Sequence, residues 1–375
     1  MSFGNYPNYD GEVNMDTERD PYKHLAEQLD KLPNGFPPTK DGAELRLLAR
    51  LYTPEEANLA SQLLIKLESA SQIATRLGLD YDLTRKLLKG MARKGLIRAG
   101  KAEDGLGYGL LPFVVGIYEN QTGTLFDGEL ARLFEDYYQR AFTRILAVQP
   151  AFHRVIPVGE SIKMDMEVAP FESAVGIIEQ AQSWGVLDCI CRKQTALIGK
   201  PCKHPVDVCM AMSDSPDAFT NSTDIKALTK EEAYAVLRRA DQAGLVHTVS
   251  NNQRGNLYIC NCCTCSCGIL RGMAELGIAN VVASSAFINT VDEDLCNACG
   301  LCVDSCQFDA LTMENFALVN RTRCVGCGVC VNACPDHALA LVRRPEAEIK
   351  PVPVSFTDWA KQRAEERGID LSPLL

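Results

Sequence analysis

The sequence lacks any apolar run long enough to cross a bilayer, which takes roughly 20 residues; its longest, such as 109–118, fall far short. Residues 1–20 are polar and acidic and lack the apolar stretch of a signal peptide, so a cytoplasmic location is expected. No G-x-G-x-x-G follows a strand-like segment, and there is no P-loop and no nucleophile elbow. Flavin, nicotinamide or nucleotide chemistry is therefore expected to reside in another subunit. No C-x-x-C-H haem motif occurs either. Positive charge is in the minority, with 38 Lys and Arg against 48 Asp and Glu, a net −10 that excludes nothing by itself but does not favour general nucleic-acid binding.

Cysteine is abundant: 17 in 375 residues. Without an export signal, that number points to a reducing compartment and to metal ligation rather than disulfides. Eight of them form a tandem repeat. Residues 296–306 read C-N-A-C-G-L-C-V-D-S-C and residues 324–335 read C-V-G-C-G-V-C-V-N-A-C-P, which is C-x2-C-x2-C-x3-C twice. Cys296, Cys299, Cys302 and Cys306 map onto Cys324, Cys327, Cys330 and Cys334, each 28 positions later. Asp309-Ala310-Leu311 is echoed by His337-Ala338-Leu339. Zinc sites draw four ligands in pairs and do not require this doubled run of four.

The repeat resembles the bacterial two-cluster [4Fe–4S] ferredoxins over residues 291–342. The resemblance implies two [4Fe–4S] clusters, with the fourth cysteine of each run ligating the other cluster. Cluster I is then expected on Cys296, Cys299, Cys302 and Cys334, and cluster II on Cys324, Cys327, Cys330 and Cys306. Gly300, Gly326 and Gly328 suit loops whose backbone N–H groups approach sulfur. One departure is Gln307, where the family usually has proline; Pro335 keeps it in the second copy. The module is acidic, with seven Asp or Glu against two Arg between Val291 and Val342, so a redox partner with a basic face is expected.

Nine cysteines lie outside the repeat. Cys189, Cys191, Cys202 and Cys209 have the count for one four-thiolate site, a third cluster or zinc; Cys260, Cys262, Cys263, Cys265 and Cys267 put five thiols in eight residues, a possible further cluster. One or two additional [4Fe–4S] clusters are expected, one extra cluster drawing on both groups is an alternative, and zinc is the rival. The C-x-C-R and C-N-C-C stretches resemble those of winged-helix-fronted iron–sulfur proteins of anaerobic bacteria, across most of residues 45–342. His204 and His247 lie near these groups as ligands or ordinary hydrogen-bonded histidines; Arg192 and Lys193 either offset cluster charge or are solvated cations.

The expected fold class is α+β. Residues 1–40 read as an extended arm and 41–115 as a winged-helix-like module. Residues 116–290 read as a helical and α/β domain, 291–342 as the ferredoxin domain and 343–375 as a tail. Thr53-Pro54-Glu55-Glu56 is a capping box opening a helix over 57–67, 71–77 is a second helix, and Asp82 caps a third that ends at Gly95. In the third, Leu83, Leu87, Leu88 and Met91 are expected inward and Arg85, Lys86, Lys89 and Arg93 outward. Strands are expected at 96–98, 108–110, 155–158, 245–248 and 257–260. Helices are expected at 130–146, from Pro170 to Ser183, and from the Thr229–Glu232 box to Ala243. Residues 356–367 form an amphipathic helix that docks or frays. The function expected is electron transfer, as a subunit of an anaerobic oxidoreductase complex. A redox-sensing winged-helix regulator that binds DNA is the alternative, and catalysis at an unusual cluster on residues 260–267 is a third reading.

Overall fold

The computed structural model describes residues 20–374 apart from 104, 122–125, 160, 163–165 and 279–280. The fold is α+β, with a ferredoxin-type domain near the C-terminus.

Residues 43–109 carry helices Ala43–Leu51, Pro54–Ala60, Ala70–Leu77 and Tyr81–Arg93, followed by a hairpin. The hairpin strands Arg98–Ala102 and Gly105–Gly109 are joined by the short strand Glu68–Ser69, which pairs with the second of them. The Thr53–Glu56 capping box forms reciprocally, but its helix ends at Ala60. The chain leaves helical geometry there because its backbone has tertiary partners: Leu110 N–H donates to the Leu64 carbonyl at 2.6 Å and Ile65 N–H to the Leu374 carbonyl at 2.8 Å. Asp80, not Asp82, caps the third helix, its carboxylate accepting from Leu83 N–H. Leu88 and Met91 are buried as expected, but Leu83 is 57% exposed and Thr84 is buried in its place.

Two expectations at the ends change. The arm is not extended throughout: Pro21–Asp30 is a helix capped by Asp20, with Leu25, Ala26 and Leu29 buried. Residues 1–19 of that arm lie outside the described residues. The tail helix, Phe356–Glu366, docks. Trp359 and Arg363 are buried, and Arg363 donates to the carbonyls of Pro33, Ile145, Val148 and Pro150.

Helix Gly128–Leu146 buries Phe134, Tyr137, Tyr138 and Phe142 on one stripe. Beside it lies a seven-stranded sheet in the order Val282–Ala283, His153–Ile156, Val246–Ser250, Tyr258–Cys262, Cys209–Ser213, Ser183–Leu187, Lys226–Leu228. Only the first pair is parallel. The segment from Pro170 is a single 3-10 turn, then helix Ala174–Gln180 capped by Ser173; Ser183 already begins a strand. The Thr229–Glu232 box forms and opens helix Lys230–Gln242.

In the ferredoxin domain, strand Phe287–Val291 pairs antiparallel with Leu339–Arg343, and Leu311–Met313 with Ala317–Val319. Short helices Leu301–Ser305 and Val329–Asn332 follow the two C-x2-C loops.

Candidate metal centres

The repeat persists in the backbone. Ala298 and Gly326, Gly300 and Gly328, and Asp309 and His337 are pairs 28 apart, and every member has positive φ. After Asp309 and His337 the chain turns so that Ala310 N–H donates to Cys306 Sγ and Ala338 N–H to Cys334 Sγ, both at 3.3 Å. The echoed tripeptide thus supplies an N–H to the fourth sulfur of each run, a contact that tunes a metal–thiolate centre.

The loops enclose two cavities. Cys296, Cys299, Cys302 and Cys334 line one; Cys306, Cys324, Cys327 and Cys330 line the other. Each gathers three thiols of one run and the fourth of the other. The first lies at the surface, with Cys299 exposed. The second packs inward: Cys327 O accepts from Val158 N–H at 2.9 Å, Val325 O from Ser285 N–H at 3.0 Å, and Asn289 Nδ2 donates to Cys330 Sγ at 3.3 Å. Burial pushes the Cys327 thiol up to about 12 and the Cys330 thiol upward. Thiols this dry ionise only against a positive centre, which suits the donor set to a metal cluster.

The sheet register sorts the other nine cysteines differently from their order in the chain. Leu187 pairs with Cys209, Met210 with Ile259, and Thr248 with Cys260, so the 189–191 corner, Cys209 and the end of strand Tyr258–Cys262 converge. Cys189 lies in hydrogen-bonding reach of Cys191 and Cys209, Cys191 of Cys267, Cys267 of Cys262, and Cys262 of Cys260. These six thiols, with Cys263 at its edge, line a chamber of about 400 Å³. Residues of the 111–120 segment, Phe134, Phe142 and Tyr258 complete its wall. Cys202 is absent from that wall. It stands instead 3.1 Å from Cys265 Sγ and 3.7 Å from Cys263 Sγ, with His204 beside them, so the expected quartet Cys189, Cys191, Cys202, Cys209 does not assemble.

Charge in the chamber is constrained. A hydrogen bond from Cys191, then one from Cys209, hold Cys189 well below the usual thiol range; Cys191 and Cys209 are raised, first by their bonds to Cys189 and then by burial. Arg192 is buried between the two groups and donates to Pro205 O at 3.0 Å, Asn261 O at 2.7 Å and Cys263 Sγ at 3.6 Å. Burial pulls its guanidinium down, but Cys189, Cys263 and Cys209 more than offset this. It is no solvated cation. Lys193 pairs with Asp188 at 3.6 Å. His247 is buried between Asn261 Oδ1 and Asp241 Oδ1, each 2.5 Å away, so its ring is occupied by structure. Burial, then Arg192, lower His204.

Three chamber groups carry no cysteine signal and were not evident from sequence. Glu119 keeps part of its surface open but faces an apolar wall, and burial raises it to about 7 despite a hydrogen bond from Gly116 N–H. His153 is lowered to about 4 by burial. Its Nε2, like the Tyr118 hydroxyl, is buried without a hydrogen-bond partner. Gln307, noticed only as a missing proline, accepts from Thr264 N–H at 2.8 Å and donates to Gly244 O at 2.6 Å.

The crossed thiol sets and duplicated loops define a ferredoxin-type iron–sulfur domain. Residues 295–339 match the family of the 4Fe-4S dicluster domain, so this region binds [4Fe–4S]. No curated protein and no solved structure matches the chain. Among the described residues no helix is long and apolar enough to cross a membrane.

Proposed function

We propose that the chain is an electron-transfer subunit of a cytoplasmic, anaerobic oxidoreductase complex. The observation that carries this reading is the pair of cavities, each lined by three thiols of one run and the fourth of the other. Cys296, Cys299, Cys302 and Cys334 would hold cluster I, and Cys306, Cys324, Cys327 and Cys330 cluster II. When bound, such clusters supply one-electron transfer. The chain's part is to fix the sulfurs, donate N–H groups to them and limit water.

Direction follows from packing. Exposed Cys299 is flanked by Leu295 and Leu301, which are 52% and 48% exposed, and by acidic Glu293, Asp294 and Asp304. This face suits a basic partner, whereas the Cys327 loop packs inward, its carbonyl accepting from Val158 N–H. A further iron–sulfur cluster in the six-thiol chamber fits the donor set, because its thiols are buried or half-buried and need positive charge to ionise together. We read residues 41–115 as a winged-helix-like module used for protein contact. Leu79, Tyr81, Leu83 and Leu106 are exposed beside Arg85 and Lys89, and DNA binding has no support.

Anaerobic purification with iron and sulfide counting tests the reading. Two clusters give about eight irons and a third about twelve. Cys189→Ser is expected to remove about four irons and leave the ferredoxin signals. A colourless preparation without acid-labile sulfide would end the proposal.

A second reading adds catalysis in the chamber, favoured by the unpartnered Tyr118 hydroxyl and His153 Nε2 on its wall. Added cyanide should then perturb only the spectral component that Cys189→Ser removes.

A further inference from the structure

Of the nine cysteines outside the repeat, six line the chamber alone, Cys202 and Cys265 stand beside His204 outside its wall, and Cys263 borders both. We propose that Cys202, His204, Cys263 and Cys265 bind one mononuclear divalent ion of the zinc class, not an iron–sulfur cube.

The argument is one of size. Their three sulfurs and one imidazole nitrogen all lie within 4.8 Å of one another. A tetrahedral zinc ion with bonds of about 2.3 Å to sulfur sets its ligand sulfurs about 3.8 Å apart. The Cys202–Cys263 separation is 3.7 Å and the Cys202–Cys265 separation 3.1 Å. In a cube each ligand binds a different iron, so the sulfurs stand much wider. Three thiolates and one imidazole also close a four-coordinate shell, the mark of a structural zinc site.

The surroundings fit. His204 N–H donates to Cys202 Sγ at 3.5 Å, and Arg192 to Cys263 Sγ. Three thiolates on a divalent ion leave one negative charge, which the Arg192 guanidinium neutralises. The ion would join the 202–204 loop to the 263–265 turn, whose Thr264 N–H is held by Gln307, the residue after Cys306. The site therefore fastens the ferredoxin domain to the sheet at the seam beside the second thiol cavity. It is also a non-redox centre, so electrons leaving that cavity pass beside it and not through it.

The experiment uses the full chain, purified anaerobically, with zinc, iron and sulfide counted and the zinc absorption edge recorded. One zinc per chain is expected, with three sulfur neighbours at about 2.3 Å and one nitrogen at about 2.0 Å. Cys265→Ser, at an exposed position, should lose most of that zinc while iron and sulfide stay at the wild-type count; Cys265→His should restore it. A variant in which about four irons and their sulfide disappear together, with no zinc in the parent protein, overturns the proposal in favour of a cube. So does a parent protein with no metal beyond that assigned to the ferredoxin domain and chamber. Loss of all labile sulfide with zinc retained would instead sink the electron-transfer reading and leave this one standing.

Discussion

Gly326→Ala probes the close approach of the inner cysteine loop to residues 285–287. Gly326 has φ +69°, and a Cβ built on it would sit 2.1 Å from Phe287 O and 2.3 Å from Ser285 Oγ. The left-handed conformation costs alanine about 1–2 kcal/mol. The clash is with backbone, so the loop must withdraw. Withdrawal breaks Ser285 Oγ–H to Gly326 O at 2.7 Å and Ser285 N–H to Val325 O at 3.0 Å, each worth about 1 kcal/mol. Together the loss is about 3–4 kcal/mol. The repeat provides the control: Ala298 occupies the matching position at φ 60° in the outer loop. Ala298→Gly should change stability by less than about 1 kcal/mol. The assay is anaerobic urea titration followed by loss of iron–sulfur absorbance, because unfolding of a cluster protein is not two-state. Gly326→Ala should lower the midpoint and bleach first from the inner centre. If it holds its clusters as firmly as Ala298→Gly does, the inner loop does not carry the docking argued here.

Four other outcomes follow. Arg363→Met leaves four carbonyls, two of them in buried hydrogen bonds, without their donor and should cost about 3–5 kcal/mol, read as a lower thermal midpoint with early proteolysis after residue 343. Glu119 is raised to about 7, so the folded state holds a proton that the unfolded chain releases above its ordinary value of 4.5. Stability should therefore fall as pH rises through that window, and Glu119→Gln should remove up to about 3 kcal/mol of the dependence, seen in melting curves at pH 5 and 8. Arg271 forks onto Glu135, with contacts of 2.6 and 2.9 Å, and packs over the Tyr138 ring; Arg271→Ala should cost about 3–5 kcal/mol in chemical denaturation. Gln307→Pro should keep the ferredoxin clusters but release Thr264, raising amide exchange across residues 263–265.

Local signals read well from the chain alone. Capping boxes at Thr53 and Thr229 form because their partners are three residues away. The ferredoxin loops were legible for a related reason, since spacing within each run and the 28-residue offset carry the geometry. The grouping of the remaining cysteines stays open in the sequence because their neighbours are set by sheet register: Cys202 is 61 residues from Cys263 and 63 from Cys265. Leu83 fits a helical apolar stripe yet faces out, because Thr84 takes the buried position. The chamber's Glu119, Tyr118 and His153 left no trace in any motif, as burial alone gives them their chemistry.

Arg363 finds its carbonyl at Pro33, 330 positions earlier in the chain. A ribosome must therefore add all the residues between these two positions before the helix Pro21–Asp30 gains the helix that clasps it. Metal loading of the cysteine loops, all of which emerge sooner, has time to precede that clasp, so maturation and final closure are ordered by synthesis itself.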